Sequence, residues 1–192
     1  MIDTTIFSTG DITEVKTWLD NNTYDIFDTI EVEGTTINCS IGGVLALIIT
    51  FGNKVYTKIT LANGQYKEAT SYSQAVFQKA YKTDNGILLH LSGNFHMDIV
   101  VTKAREVASF NNNGSYFFIA NLDAPTFTTL AKPQAFEVTA LCPVPYSNVA
   151  VSEDILTPVW SQLGVPGYTP DIQIVQINDV NYVFNGIIAL KE

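Results

Sequence analysis

The sequence predicts a mainly β protein, an antiparallel β-sandwich or rolled sheet with two or three short peripheral helices. Three observations predict it. Apolar side chains recur at every second position over long stretches, as in Thr35, Ile37, Cys39, Ile41 and again in Val55, Thr57, Ile59, Leu61. Turn dipeptides that tolerate positive φ separate these stretches, with Asn63-Gly64, Asn113-Gly114 and Asn185-Gly186 the clearest. The composition supplies 11 Phe and 9 Tyr but only 15% charged residues, against about a quarter in an average globular domain. With few helix-favouring charged residues, propensity leans to strand.

Elements follow in chain order. Asp11 and Glu14 have the spacing of a capping box, and Ile12, Val15 and Leu19 form one apolar face, which predicts a helix over 11–21. Trp18 lies at the edge of that face. Alternation from Asp25 to Leu61 predicts a meander turning at Gly34, Gly42-Gly43 and Gly52-Asn53. Within it the apolar run from Val44 to Phe51 reads as a strand buried on both faces. Asn63-Gly64 predicts a hairpin. Ser71 to Lys82 reads as a second helix, capped by Ser71 or Ser73 and stopped by Asp84-Asn85-Gly86.

Strands are expected at Ile87–Leu91, Phe95–Val101, Ser115–Asn121 and Phe136–Leu141, with a loop over 111–114 and an exit at Pro143 and Pro145. The Thr- and Pro-rich stretch 123–133 reads as irregular. Thr157-Pro158 opens a short helix that ends at Gly164. Three closing strands lie at Ile172–Ile177, Tyr182–Phe184 and Ile187–Leu190. No internal repeat is visible.

At 192 residues and 46% hydrophobic, the chain suits a single domain over 1–192. A break within 123–133 is the less favoured alternative. A net charge of −9 with only ten Lys and Arg opposes a phosphate backbone and anionic lipid, so no nucleic-acid partner is expected. The longest apolar run, Val44 to Ile49, falls far short of the roughly 20 residues a membrane helix needs, and no membrane insertion is expected. Met1 to Thr5 has neither the basic nor the apolar region of a signal peptide. Sequons at Asn21, Asn38 and Asn113 therefore carry little weight. Cys39 and Cys142 suggest buried thiols in a reduced compartment, with a disulfide between them left open.

Candidate chemistry is sparse. His90, His96 and Asp98 are the one histidine cluster. If Ser92-Gly93-Asn94 closes a three-residue turn, His90 faces His96, and two imidazoles with a carboxylate are metal ligands. The plainer reading is two ordinary strand histidines. Asp25, Asp28, Glu31 and Glu33 form the densest acidic stretch. Carboxylates from separate strands can act as an acid–base pair in glycoside hydrolysis, but a solvated strand face is the plainer reading. Trp18, Tyr146, Trp160 and Tyr168 would stack on sugar rings if exposed, and would pack in a core or interface otherwise. No Gly-x-Ser-x-Gly elbow, phosphate-binding glycine loop or Cys–His neighbour pair occurs. No catalytic residue or cofactor is expected.

The hairpin turns Asn63-Gly64, Asn113-Gly114 and Asn185-Gly186, the Thr- and Asn-rich low-charge strands, and the closing segment Val180 to Ile188 give the chain a texture that resembles small β-rich virion proteins of tailed bacteriophages. The likeness is one of composition across most of the chain. It implies a neck-, tail- or fibre-associated structural role, built by strand pairing and flat interfaces.

The expected function is thus a non-enzymatic structural or assembly protein of a multi-subunit particle. Its partners would be other proteins or copies of itself. Its location would be the virion if the chain is phage-derived, and the cytoplasm otherwise. A carbohydrate-binding β-sandwich module is the alternative, and a carboxylate-based hydrolase the second alternative.

Overall fold

The computed structural model describes residues 1–71, 75–92, 97–111, 116–131, 172–177, 179–184 and 189–192. Strand β1 (Asp3–Ile6) leads into helix α1 (Ile12–Asn22). The predicted cap forms: Asp11 Oδ1 accepts from Glu14 N at 2.9 Å. Glu14 reaches back further than a simple capping box, accepting from the N–H groups of Ser8, Thr9 and Gly10 at 2.7–2.8 Å. Val15, Trp18 and Leu19 form its buried face. The helix ends where the Thr23 N–H and hydroxyl both bond the Leu19 carbonyl, at 2.9 and 2.6 Å.

A five-stranded antiparallel meander follows, with strands β2 (Thr29–Glu33), β3 (Thr36–Ile41), β4 (Val44–Thr50), β5 (Tyr56–Thr60) and β6 (Tyr66–Thr70) lying in chain order. The predicted turns carry it. Gly42 and Gly43, at φ 60° and 74°, join β3 to β4 as a two-residue hairpin that most side chains would strain. Asn63-Gly64 closes the β5–β6 hairpin, where Leu61 N donates to Gln65 O at 2.8 Å. Strand β4 corrects one expectation. It is not buried on both faces, because the outer face of the meander leaves Leu45 exposed and Val44 and Ile48 half-buried. A bulge opposite Cys39 and Ser40 inserts Ala46 and brings Ala46 and Leu47 inward in succession. That bulge turns an alternating strand into a continuous apolar run.

The largest sheet has seven antiparallel strands. It comprises β7 (Val76–Lys82), β8 (Gly86–Ser92), β9 (Met97–Thr102), β10 (Glu106–Asn111), β11 (Tyr116–Asn121) and β12 (Thr126–Ala131), with β1 returning to pair with β7. Strand β7 overturns the second predicted helix. A bulge between Phe77 and Lys79 places Phe77 opposite Leu91 and Ala80 opposite Leu89, so residues three apart share a face. That spacing imitates a helix, while pairing to β1 and β8 satisfies the backbone as strand.

Strand β12 overturns the irregular reading of 123–133 for its described part. Asn121 Oδ1 accepts from Asp123 N and Ala124 N at 3.0 Å, which tightens the turn, and the β-branched threonines then pair with β11. Strands β1 and β10 also form where none was expected, while β6 is the second arm of the hairpin predicted at Asn63-Gly64.

The closing meander matches expectation: β13 (Gln173–Ile177), β14 (Val180–Phe184) and β15 (Ala189–Lys191) make a three-stranded antiparallel sheet. Asn85 Nδ2 donates to the carbonyls of Lys191 and Glu192 at 3.4 and 2.8 Å, tying this sheet to the β7–β8 turn. The expected strand 136–141 and helix 157–163 lie outside the described residues. Among the described residues there is one helix, and no helix is long and apolar enough to cross a membrane.

Helix α1 and the two larger sheets share one hydrophobic cluster. Leu19 comes from the helix, Ile37, Leu47 and Ile59 from the meander, and Leu89, Ile99 and Val101 from the larger sheet. Each such aliphatic side chain stabilises the fold by roughly 1.5–3 kcal/mol relative to exposure. Strands β8 and β9 are buried on both faces. Ile87, Leu89 and Leu91 join the cluster, whereas Leu88, Val100 and Ala108 are buried on the opposite face.

Candidate functional site

That opposite face holds His90 and Asp98, two members of the histidine cluster the sequence singled out. Strand alternation sends Leu89 and Leu91 to the main core, so His90 points the other way. The register of β8 with β9 sets Asp98 opposite His90, with Leu91 opposite Met97. His90 Nδ1 lies 2.6 Å from Asp98 Oδ1, and both side chains are buried. Cross-strand neighbours extend the row, with Lys79 on β7 beside His90 and Phe110 on β10 beside Asp98 in register.

The expected pairing of His90 with His96 is therefore corrected. The ladder closes two residues later than a Ser92-Gly93-Asn94 turn would require, since turn residues indicate where a hairpin bends but not how long its connection is. His96 lies outside the described residues. Among the described residues, no group of three His, Cys, Asp or Glu side chains is placed to hold a metal ion.

An imidazole bonded through Nδ1 to a carboxylate has its ring orientation set, and with it the nitrogen that carries the proton. This is the orienting half of a catalytic triad as well as a common structural pair, and geometry alone admits both. Two surface grooves lie elsewhere. One, of about 420 Å³, runs along α1 and β1 past Thr5, Thr13, Thr17 and Asn21. The other, of about 440 Å³, lies between Gly64, Gln65, Tyr66, Lys67 and Phe127. Neither is lined by His90 or Asp98.

The four acidic candidates are not gathered. Asp25 pairs with Lys103 Nζ at 2.7 Å, and this contact holds its carboxyl below the ordinary value. Asp28 precedes β2 and accepts from Gly43 N at 2.9 Å, bracing the β3–β4 turn. Glu31 and Glu33 are exposed on β2, opposite Asn38 and Thr36. Trp18 is buried: its ring meets Phe7 edge-on at 6.3 Å and its Nε1 donates to Thr5 Oγ1 at 2.9 Å. It is core rather than a sugar platform. Tyr146, Trp160 and Tyr168 lie outside the described residues. Cys39 is a buried free thiol whose pKa desolvation pushes up to about 12, and Cys142 is not among the described residues.

The sequence reasoning passed over Tyr66. It stands half-exposed at the β5–β6 hairpin, with Lys58 Nζ 4.1 Å from its ring centroid. The Asn63-Gly64 turn was the signal that locates it, because a hairpin tip projects the residues flanking it. Comparison with known proteins finds no matching family model, no matching curated protein and no matching solved structure.

Proposed function

We propose that this chain is a non-enzymatic structural protein of a multi-subunit particle, with a bacteriophage virion as its setting. One observation carries the reading. Outer strands of all three sheets present exposed branched aliphatic side chains: Ile6 on β1 (72% exposed), Val32 on β2 (47%) and Ile174 on β13 (55%). Outer strands of monomeric proteins are usually blunted by Lys, Pro or bulges, because an open edge pairs with other chains. Aliphatic residues there suit strand-mediated assembly. In this reading the five- and seven-stranded sheets pack as the two layers of a β-sandwich, and the whole chain acts as one domain. Its partners are copies of itself or other particle proteins.

Native mass by multi-angle light scattering tests this. A stable oligomer is the expected result. A strictly monomeric protein across micromolar to near-millimolar concentration counts against it.

A second reading, a carbohydrate-binding module, draws on the groove at Tyr66. Tyr66, 53% exposed and with Lys58 over its ring, lines this groove beside Gln65 and Lys67, and an aromatic ring with polar neighbours is what sugar binding needs. Glycan-array binding that disappears in Tyr66→Ala would support it, and silence of the wild type would remove it.

A further inference from the structure

We propose that the outer edge of β13 docks a second copy of this chain, by antiparallel strand pairing about a two-fold axis at Ile174. The proposal rests on the reading of the chain as an assembly component and specifies one contact of that assembly.

The argument starts from a row of apolar side chains. In register, Leu190 on β15 lies beside Val183 on β14, and Val183 lies beside Ile174 on β13. Val183 and Leu190 are buried, whereas Ile174 is 55% exposed. The row therefore runs from the interior to the outermost described strand and stops there. A second copy related by a two-fold axis at Ile174 sets the two Ile174 side chains against each other. It carries the row on into the partner's Val183 and Leu190, and doubles the three-stranded sheet. A sheet of three described strands is small and gains from further strands.

Charge and side-chain type together favour this edge over the other outer strands. In a two-fold strand pairing the residue on the axis meets its own counterpart and every other residue i meets j while j meets i, so an edge whose charges share one sign repels itself. This matters in a chain of net charge −9. Strand β2 carries Glu31 and Glu33, β1 carries Asp3 and β15 carries Lys191, whereas β6 holds both Lys67 and Glu68, and β12 is uncharged but rich in threonine. Strand β13 reads Gln-Ile-Val-Gln-Ile, with no charge and no Pro, and its pairing with β14 has no bulge. It lacks the usual devices that keep an edge from pairing. In the proposed register Gln173 lies opposite the partner's Val175, so no like charges meet anywhere along the strand.

The test uses the full chain. Light scattering of the wild type, Ile174→Lys and a control Glu31→Gln should give an oligomer whose mass falls about twofold in Ile174→Lys alone. Circular dichroism at ambient temperature should not change, since Ile174 is largely in solvent in the single chain, while the melting temperature should fall only by the stabilisation that association supplies. Ile174→Cys, in a Cys142→Ser background, should form a disulfide-linked dimer under mild oxidation. If Ile174→Lys keeps the oligomer's mass and Ile174→Cys does not cross-link, this edge is not the interface, and the assembly reading stands without it. If the wild type is monomeric at every concentration, both fall together.

Discussion

Thr57 Oγ1 and Ser109 Oγ, 52 residues apart in sequence, lie 2.9 Å apart where β5 of the five-stranded sheet meets β10 of the seven-stranded one. Both side chains are buried, and Thr57 Oγ1 also lies 3.4 Å from the Ala69 carbonyl. Thr57 thus has two neighbours that can share its bonds. The two single substitutions should differ. Thr57→Val leaves Ser109 Oγ buried without this partner and should cost about 1–3 kcal/mol. Ser109→Ala leaves Thr57 its carbonyl and should cost about 1 kcal/mol or less. The double variant should be less destabilised than the sum. Urea unfolding of the four proteins measures this, and strict additivity would mean that the hydroxyls do not interact.

The His90–Asp98 pair makes a second prediction. His90→Leu removes the imidazole from a buried carboxyl group that keeps its other contacts, and should cost about 1–3 kcal/mol. Replacing both residues, as His90→Leu with Asp98→Leu, should recover much of that loss, because two aliphatic side chains suit a face that already holds Leu88 and Val100. Denaturant midpoints decide. A single-variant cost below about 0.5 kcal/mol would show that the bond to His90 contributes little to stability.

Glu14 sets an acid-side dependence. The N–H groups of Ser8, Thr9 and Gly10 lower its carboxyl from 4.5 to about 2 in the folded chain. A depressed folded pKa means that its stabilising contribution is complete above the unfolded value of 4.5 and is lost as pH falls through about 2. The difference in unfolding midpoint between wild type and Glu14→Gln should therefore be constant above about pH 5 and shrink steadily toward pH 2. A difference independent of pH would show that the bonds to Glu14 do not depend on its charge.

Two glycines with similar backbone angles should respond unequally to alanine. Gly10 has φ 63°, and a Cβ there would sit 2.0 Å from the Phe77 carbonyl oxygen. Gly34 has φ 60° with nothing within 4 Å of the Cβ position. Gly34→Ala should cost only the left-handed backbone strain, about 1 kcal/mol. Gly10→Ala should cost clearly more, since α1 and β7 must also move apart. Thermal melts of both variants test this, and equal shifts would overturn it.

Several elements could be read in the sequence because their determinants are local. Asp11 and Glu14 cap α1 through neighbours within the same turn. Gly34, Gly42-Gly43 and Asn63-Gly64 bend the chain by their own backbone preferences. The candidate site was partly legible in the same way. The types His90 and Asp98, and their place on neighbouring strands, followed from alternation, but their pairing did not. A hairpin's register depends on the length of its connection, and the residue types between the two strands do not state that length.

The amino-acid pattern by itself determined that this chain folds mainly as antiparallel strands, where most of them turn, and that its first helix begins at Asp11. Those properties reside in near neighbours: steric limits on φ, side-chain alternation and capping bonds. Tertiary structure decided that Val76–Lys82 is a strand between β1 and β8, that 126–131 completes an edge, and that His90 meets Asp98. Each of these depends on partners distant in sequence. A bulge gives β7 the spacing of a helix, and only hydrogen bonding to β1 and β8 makes the strand the better solution for its backbone.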